Sequence, residues 1–314
     1  MPRTTVIALG GNAISPADSA GTADEQTAIV ARTMTQIAAL VAQGQPRLVL
    51  THGNGPQVGN VLIKNELARD VVPPVPLDWC VAQTQATIGF TIANTLSFAL
   101  DNLGIDRPVV PVVSRVLVSR DDPAWTQPTK PIGGYLTDAD DVARRQAGGQ
   151  AFVRVDERGW RRVVPSPQPL ASIDLQAIRL LLDDGAIVVA NGGGGIPVVD
   201  DGDGPLRGIE AVIDKDLAAS LLATELDADR LAIFTDVDGV AVDFGTPRQR
   251  WLGRITASEL RALIDDGTFD KGSMGPKVEG ACRFVEATRR PAVIASLDQV
   301  RAAFADGGTQ VVPA

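Results

Sequence analysis

Three lysines lie in stretches of the sequence where their charges could meet an anion. Lys130 and Lys277 stand among glycines and prolines, and Lys215 opens a predicted helix between Asp214 and Asp216. A lysine at the amino end of a helix faces the positive end of the helix dipole, which indicates a negative ligand nearby. Phosphoryl transfer depends on compact positive charges around the phosphoryl oxygens. Any one of these lysines could be a solvated side chain, but three in such turns favour a phosphate site.

Two glycine turns follow the first two predicted strands. The first contains Gly10, Gly11 and Asn12, and the second contains Gly53 and Asn54. Glycine at the carboxyl end of a strand lets backbone N–H groups approach an anion, and a following helix adds its dipole. In an open α/β sheet such turns converge on one crevice. Either turn alone could be an ordinary tight turn, because short glycine motifs are common by chance.

Four consecutive glycines, residues 192–195, follow a third predicted strand. Each glycine costs conformational entropy on folding and places no side chain in the core, so close approach to a ligand is the better explanation. The run fits neither the Walker A pattern nor the G-x-G-x-x-G fingerprint. A Rossmann dehydrogenase is therefore disfavoured.

Asp236 ends another predicted strand, and glycine follows shortly after it. An ordinary turn explains this stretch, and the stretch around Phe244 could equally be a loop. Their position favours a wall of the nucleotide site.

His52 is the one histidine of the chain, and a sole imidazole suggests a general base. Phosphoryl transfer to an acceptor that is already an anion needs no base. We therefore interpret His52 as a hydrogen-bonding residue that orders its loop. The sequence shows no His and Cys pattern typical of metal sites and no Gly-x-Ser-x-Gly motif, which disfavours a hydrolase.

Short runs of Val, Ile and Leu alternate with longer amphipathic stretches. The runs predict strands buried on both faces of a parallel sheet, at residues 5–9, 47–51, 109–113, 186–190, 231–235 and 292–295. The amphipathic stretches predict helices at residues 24–42, 78–103, 174–184, 215–226, 257–266 and 276–288. Strand alternating with helix indicates βαβ units, so the predicted fold class is α/β, a three-layer αβα open sandwich with a mainly parallel sheet.

Residues 118–164 interrupt this alternation with prolines, a pair of glycines and mixed charge. A structureless loop of that length is uncommon in a compact domain. We predict a single domain, residues 1–314, in which residues 118–164 form a small, protruding, lid-like subdomain that carries Lys130.

Composition narrows the class of protein. The 314 residues are 45% hydrophobic and 21% charged, with 4% aromatic residues and a net charge of -9. This balance is typical of a globular protein with an aliphatic core, and the negative charge argues against general binding to nucleic acid or anionic membrane. The two cysteines form no motif and predict buried free thiols. With no long apolar run and no leader-like amino terminus, a cytoplasmic location is expected.

Taken in order, these segments resemble the carbamate kinases, a branch of the amino acid kinase superfamily, over essentially the whole chain. The matching runs are LGGNAI (9–14), THGNGPQVGN (51–60), QPTKPIG (127–133), RGWRRVVPSPQP (158–169), NGGGGIPV (191–198), GIEAVIDKDLAA (208–219) and KGSMGPKVEGA (271–281). The resemblance implies an amino acid kinase-like sandwich, a homodimer, and reversible phosphoryl transfer between ATP with Mg²⁺ and carbamate, giving ADP and carbamoyl phosphate. The long predicted helix at 78–103 could be core or subunit interface.

The resemblance also implies roles for individual residues. Those facing phosphate or acceptor would be Gly10, Gly11, Asn12, Gly53, Asn54, Gly194 and Gly195. Lys130, Lys215 and Lys277 would supply charge to the phosphoryl oxygens, and Asp214 and Asp216 would orient those lysines or the metal. Asp236, Phe244 and Met274 would lie near the nucleotide, whose phosphates would carry most of the Mg²⁺ coordination.

Small departures from the family pattern leave every charged group in place. Ile14 replaces a usual leucine, Gly275 replaces a common alanine, and Gly134 stands where the family often has proline or a bulky residue. Gly134 bears on the shape of the lid and on acceptor selectivity. Two alternatives remain: a kinase of the same fold with another small anionic acceptor, and a catalytically silent nucleotide-binding protein.

Overall fold

The structure is a computed structural model that describes residues 3–14, 21–44, 47–202, 204–269 and 273–314. Within these ranges the α-helices are α1 (Ala23–Val41), α2 (Gly55–Ala68), α3 (Leu77–Asp101), α4 (Ala139–Ala147), α5 (Leu175–Asp183), α6 (Lys215–Glu225), α7 (Ala257–Asp265), α8 (Met274–Thr288) and α9 (Val300–Ala303). The strands of the same ranges are β1 (Thr4–Leu9), β2 (Arg47–His52), β3 (Val109–Pro111), β4 (Arg115–Leu117), β5 (Lys130–Leu136), β6 (Ala151–Arg154), β7 (Trp160–Val164), β8 (Ala171–Ser172), β9 (Ile187–Val189), β10 (Ile196–Val199), β11 (Arg207–Gly208), β12 (Arg230–Thr235), β13 (Val240–Val242), β14 (Arg250–Leu252), β15 (Arg254–Thr256), β16 (Ala292–Ser296) and β17 (Thr309–Val312).

Eight strands form the main sheet, in the order β15-β17-β16-β12-β1-β2-β9-β3. All neighbours in it run parallel except β16 and β17, which are antiparallel. The predicted mainly parallel sheet is confirmed. Parallel strands place their carboxyl ends along one edge, so the loops after β1, β2 and β9 emerge side by side.

The sheet is covered on both faces, as the alternation of side chains along β1 shows. Val6 and Ala8 belong to one apolar cluster, which also contains residues of α5, α6, α7 and α8. Ile7 and Leu9 point to the other face and join the cluster that contains residues of α1, α3 and α9. Successive side chains of a strand point to opposite faces, so the predicted three-layer αβα sandwich is confirmed.

Three helices were not expected from the sequence: α2, α4 and α9, the last of which has four residues. Helix α2 begins directly after the second glycine turn, with Pro56 in its first turn, where a missing N–H costs nothing. Helix α4 begins after Asp138, whose side chain accepts hydrogen bonds from the backbone N–H groups of Asp140 and Asp141. Helix α2 was missed because its first residues include glycine and proline, which are typical of a turn. Helix α4 was missed because residues 118–164 have mixed charge without a clear apolar stripe.

We refer to residues 118–164 as the lid. Strands β5, β7 and β6 form a separate antiparallel sheet there, and it packs on α2 at a point where two backbones meet. A Cβ added to Gly59 of α2 would lie 2.2 Å from the Cα of Gly133 in β5. Arg145 of α4 adds ion pairs of 2.5 Å to Glu66 and 2.9 Å to Asp141. The lid thus contacts the core through close backbone packing and side-chain charges.

In the part of the chain that is described, every helix falls short of the length or apolar content needed to cross a bilayer. Cys80 and Cys282 are buried free thiols, as predicted.

Candidate active site

A cleft of about 450 Å³ opens at the carboxyl edge of the main sheet, between the loops after β1 and β2, the start of α6 and the lid. Its lining residues are Gly11, Gly53, Asn54, Gly55, Pro56, Lys130, Pro131, Ile132, Arg161, Gly193, Val212, Ile213, Asp214, Lys215, Asp216, Ser273 and Lys277. The cleft therefore brings together all three lysines and both aspartates that the sequence singles out.

The loop after β1 is a single turn of 3₁₀-helix, Gly11–Ala13. Gly10 precedes it with its backbone against β12, because a Cβ there would come within 2.9 Å of the carbonyl oxygen of Phe234. Gly11 has open space around its Cα and borders the cleft. Asn12 belongs to the same turn. At Gly11 the turn therefore presents backbone to the cleft.

The loop after β2 lies directly beside the first. The N–H of Gly53 donates to the carbonyl oxygen of Leu9 over 3.2 Å, which ties the two loops together. A Cβ on Gly53 would lie 3.3 Å from Cδ of Lys215, so glycine lets the lysine stem cross the loop. Asn54 is 3% exposed and its amide donates to the Oγ1 of Thr84 over 2.9 Å. Side chains of the core thus hold the second loop in place.

The glycine run after β9 owes its composition to crowding by the second loop. A Cβ on Gly192 would lie 2.2 Å from Nε2 of His52, and one on Gly193 would lie 2.2 Å from Nδ2 of Asn54. Gly193 also has φ of +65°, which a β-carbon disfavours. Close approach therefore explains the run, but the groups approached are protein side chains and, at Gly194, the backbone of Ile213.

Asp214 connects the lid to the core. Its Oδ2 accepts a 2.6 Å hydrogen bond from the ammonium of Lys130, which begins β5. Its Oδ1 accepts from the N–H of Asp216 at 2.9 Å and caps α6. One carboxylate therefore starts the helix and neutralises the lid lysine.

Asp216 holds the other two lysines. Its Oδ1 lies 2.5 Å from Nζ of Lys215, and its Oδ2 lies 3.4 Å from Nζ of Lys277. Lys277 also donates to the carbonyl oxygen of Ser273 over 3.1 Å. The two carboxylates and three ammonium groups form one chain, Lys130–Asp214 followed by Lys215–Asp216–Lys277, with one positive charge in excess.

Burial and charge act in opposite directions on these groups. Burial disfavours ionisation of Asp214, but Lys130 and Lys215 outweigh it and hold the pKa of this carboxyl below its ordinary value. Burial lowers the pKa of Lys215, and the charge of Lys277 lowers it further, although Asp216 and Asp214 counteract both. A buried ammonium beside a second one is short of negative charge, so this arrangement favours an anion in the cleft.

His52 does not border the cleft. It is 1% exposed, and its Nδ1 donates to the carbonyl oxygen of Gly53 over 2.9 Å. Burial lowers its pKa to about 4, so the ring is neutral near pH 7. Its predicted part as a hydrogen bonder that orders the loop is confirmed.

Seven residues predicted for the site are absent from the lining of this cleft, and two of them, Gly10 and Asn12, flank the lining residue Gly11. Gly194 and Gly195 pack against the backbone of Ile213 and the side chain of Val116, while their neighbour Gly193 borders the cleft. The remaining three are Asp236, an exposed residue after β12; Phe244, which is 63% exposed; and Met274, which begins α8 beside Ser273.

Sequence reasoning assigned no role to Arg161, Gly193 or Ser273, all of which border the cleft. Arg161 and Gly193 lie inside quoted runs, so the motifs contained them. What the sequence lacks is the orientation of each side chain, which depends on the bend of the lid strands and on the handedness of the glycine turn.

An open αβα sandwich with glycine turns and a lysine–aspartate chain at the carboxyl edge of its sheet defines the class of kinases that act on small acids. The profile of the amino acid kinase family matches residues 3–296, and the chain belongs to this family. A carbamate kinase of Thermococcus kodakarensis is 44% identical over 99% of both chains, and carbamate kinase 1 of Enterococcus faecium is 42% identical over 96% of this chain and 95% of its own.

Solved structures agree with these relatives. A protein of Aeropyrum pernix K1 superposes with a TM-score of 0.94 at 45% identity, covering 99% of this chain and 100% of its own. The carbamate kinase of Giardia lamblia bound to AMP-PNP superposes with a TM-score of 0.91 at 38% identity, over 99% of both chains. The expected membership of the carbamate kinase branch is confirmed.

Proposed function

We propose that this chain is an ATP-dependent carbamate kinase, which reversibly transfers a phosphoryl group between ATP and carbamate to give ADP and carbamoyl phosphate. The observation that carries the proposal is the chain of three lysines and two aspartates beside Gly11 and Gly53. It supplies clustered ammonium groups next to backbone turns in a cleft that has space for a small anion.

The lysines provide the positive charge that the reaction needs. Lys215 and Lys277 share Asp216 on the core side, and Lys130 reaches in from the lid. Negative charge on the transferring phosphoryl group would meet ammonium groups from both sides, and preorganised charges of this kind stabilise the transition state. Asp214 and Asp216 serve as positioning residues, because each holds a lysine in place and neither carboxylate faces the cleft unpaired.

The acceptor requires no general base. Carbamate already carries a negative oxygen that can attack the terminal phosphorus of ATP. The one histidine is neutral, buried and bonded to its own loop. Gly10, Gly11, Asn12, Gly53 and Asn54 would hold the phosphoryl group and acceptor through backbone and amide contacts, with Gly194 and Gly195 shaping the neighbouring wall.

Mg²⁺ would reach the site on the nucleotide. Within the described ranges, no group of three or more His, Cys, Asp or Glu side chains is placed to hold a metal ion. The carboxylates of Asp214 and Asp216 are engaged by lysines, so the residues present suit an ion coordinated mainly by phosphate oxygens. When bound, the ion would neutralise charge across the terminal phosphates.

Nucleotide contacts are proposed for Asp236, Phe244 and Met274. Phe244 is exposed and packs edge to face on Trp251, with ring centroids 6.2 Å apart. An exposed aromatic pair offers a surface for a purine base. This region lies beyond the carboxyl end of β12, next to β1 in the sheet.

We also propose that residues 118–164 form a subdomain inserted in the single domain 1–314, and that this subdomain opens and closes over the cleft.

A further proposal is that two copies of the chain pair through α3. Trp79, Phe90 and Phe98 are all exposed on that helix and fall within one broad stripe at helical spacing. Sedimentation at several concentrations measures the oligomeric state. A cytoplasmic location and a part in arginine metabolism stay predictions.

The acceptor is tested by measuring ADP formation from ATP with a panel of small acids: bicarbonate plus ammonia as a source of carbamate, acetate and simple phosphonates. ADP formation with the carbamate source and little with the others supports the proposal. ADP formation with another acid and none with carbamate would replace carbamate by that acceptor. ATP binding without turnover of any acid would indicate a silent nucleotide-binding protein.

A further inference from the structure

Arg161 is a fourth cation at the cleft, and it belongs to the lid. It lies in β7 and borders the same cavity as the three lysines. Its Nη2 donates to the carbonyl oxygen of Gly133 over 2.9 Å, and its guanidinium lies 5.5 Å from the ring centroid of Tyr135. Two contacts with β5 therefore fix the position of this side chain.

The charge of Arg161 differs from that of the lysines because no carboxylate balances it. Each lysine of the cleft pairs with Asp214 or Asp216. In the described part of the chain Arg161 forms no ion pair, since its contacts are a carbonyl oxygen and an aromatic ring. A carboxylate-free guanidinium at the edge of a phosphate-type cleft is available to an anionic ligand.

The hydrogen-bonding capacity of Arg161 is also largely unused. A guanidinium offers five N–H donors, and Gly133 accepts one of them. The Nε atom is buried and has no partner. A buried donor without a partner is destabilising, so a ligand that engages this guanidinium would remove an existing penalty.

The shape of the lid at this point depends on two glycines. The pairing of β5 with β7 shifts register between Ile132 and Tyr135, and the extra residues are Gly133 and Gly134. Gly133 has φ of +67°, a value that favours glycine. The resulting bulge turns its carbonyl oxygen to Arg161.

We propose that Arg161 binds the anionic carboxylate of the acceptor, and that the bulge at Gly133 and Gly134 sets its position and hence the acceptor that fits. A guanidinium matches a planar carboxylate with two parallel hydrogen bonds, which an ammonium does not reproduce. The inference rests on the proposed function and adds an acceptor-binding residue to it. The three lysines then serve the phosphoryl oxygens, while Arg161 serves the group that receives the phosphate.

The test is steady-state kinetics in the direction of ADP formation, with KM measured separately for carbamate, supplied by bicarbonate and ammonia, and for ATP. The variants are Arg161→Gln, Arg161→Lys and the control Arg154→Gln, which changes an exposed lid arginine that stacks on Trp160 away from the cleft. We expect Arg161→Gln to raise KM for carbamate at least about tenfold, with KM for ATP within about twofold of wild type. Arg161→Lys should fall between wild type and Arg161→Gln.

Equal increases in both KM values, or no increase for carbamate, would overturn the assignment and leave Arg161 a structural residue of the lid. Acetate is assayed in parallel. A wild-type enzyme that phosphorylated acetate and not carbamate would contradict the proposed function, and the same comparison of Arg161 variants would then be decided on acetate.

Discussion

The core side of the cleft is buried and closely packed, whereas the lid side is more exposed and adds ion pairs to its packing on α2. On the core side, His52 and Asn54 are 1% and 3% exposed, and neighbouring loops leave no room for β-carbons at the glycine run. On the lid, Val153 and Arg154 are exposed on one strand, and Arg145 supplies the ion pairs to α2 and α4.

This difference suggests a division of labour. Close-packed interiors resist displacement, so the core side can hold phosphate-binding groups in fixed positions. Ion pairs near the protein surface contribute about 0–1 kcal/mol each, so the partly exposed pairs of Arg145 would add little to the cost of the proposed lid movement. Lys130 and Asp214 join the two sides through one hydrogen bond. Changes on the core side should therefore abolish chemistry or folding, and changes on the lid should alter binding and closure.

The largest effect is expected for Lys215→Ala on the core side. Loss of a preorganised charge at the transition state should lower turnover roughly 10²-fold or more. Lys64→Ala, which removes an exposed lysine of α2, is the matched control and should leave turnover unchanged. Turnover close to wild type in Lys215→Ala would remove this residue from the proposed mechanism.

Stability should depend on pH through His52. Its pKa falls from 6.5 to about 4 on folding, so the unfolded chain binds more protons below pH 6.5. The stabilisation is complete above that pH and is lost as the pH falls towards 4. The linkage relation predicts a loss of about 2 kcal/mol between pH 7.5 and 5.

Urea unfolding at both pH values measures this loss. His52 is the one histidine of the chain. The His52→Gln variant should therefore lose most of the difference in the free energy of unfolding between the two pH values. An equal pH dependence in the variant would assign the effect to carboxyl groups.

A change at the contact between α2 and the lid should separate the two sides. In Gly59→Ala the new methyl group would lie 2.2 Å from Cα of Gly133 and 2.5 Å from its N, so the lid strand must move. Alanine in a helix is more favourable than glycine by about 1 kcal/mol, so the core should lose little stability.

We expect kcat/KM to fall roughly tenfold in Gly59→Ala, because overpacking at this contact would destabilise the docked lid by about 1–3 kcal/mol. The melting temperature should stay nearly unchanged. Gly253→Ala, where a β-carbon meets open space outside the cleft and the lid, is the control. A matching fall in melting temperature would show that the lid is as rigid a part of the fold as the core.

The smallest effect concerns Asp214, which belongs to both sides. Asparagine keeps an oxygen that can accept from the N–H of Asp216, and alanine does not. Loss of a helix cap costs about 1 kcal/mol, so Asp214→Ala should unfold at lower urea concentration than Asp214→Asn. Identical unfolding curves would mean that the cap contributes nothing and that Asp214 acts through Lys130 alone.

The sequence predicts the core side far better than the lid side, for physical reasons. Buried parallel strands are short apolar runs bounded by turns, and the six predicted strands all occur, with ends differing by up to two residues at each side. Antiparallel β17 was not predicted, because a final short strand at the carboxyl end carries no distinctive signal. Lys130 and Lys277 were recognisable because glycine and proline stand near them in the sequence, and Lys215 because it begins a predicted helix.

Arg161 shows why the sequence does not predict the lid side of the cleft. Its contact with Gly133 exists because the register of β5 and β7 shifts by the length of a bulge. A one-residue change of register turns side chains to the opposite face, so sequence spacing alone does not say which lid arginine faces the cleft. The positions of Gly193 and Gly194 depend in the same way on left-handed backbone angles.

The central claim is that the cleft transfers phosphate between nucleotide and carbamate. The most direct measurement is ATP formation from ADP, Mg²⁺ and carbamoyl phosphate, followed by a coupled assay. The account predicts ATP formation that saturates with carbamoyl phosphate and falls roughly 10²-fold or more in Lys215→Ala. No ATP formation by the folded wild-type enzyme, or formation that is indifferent to Lys215, would contradict it.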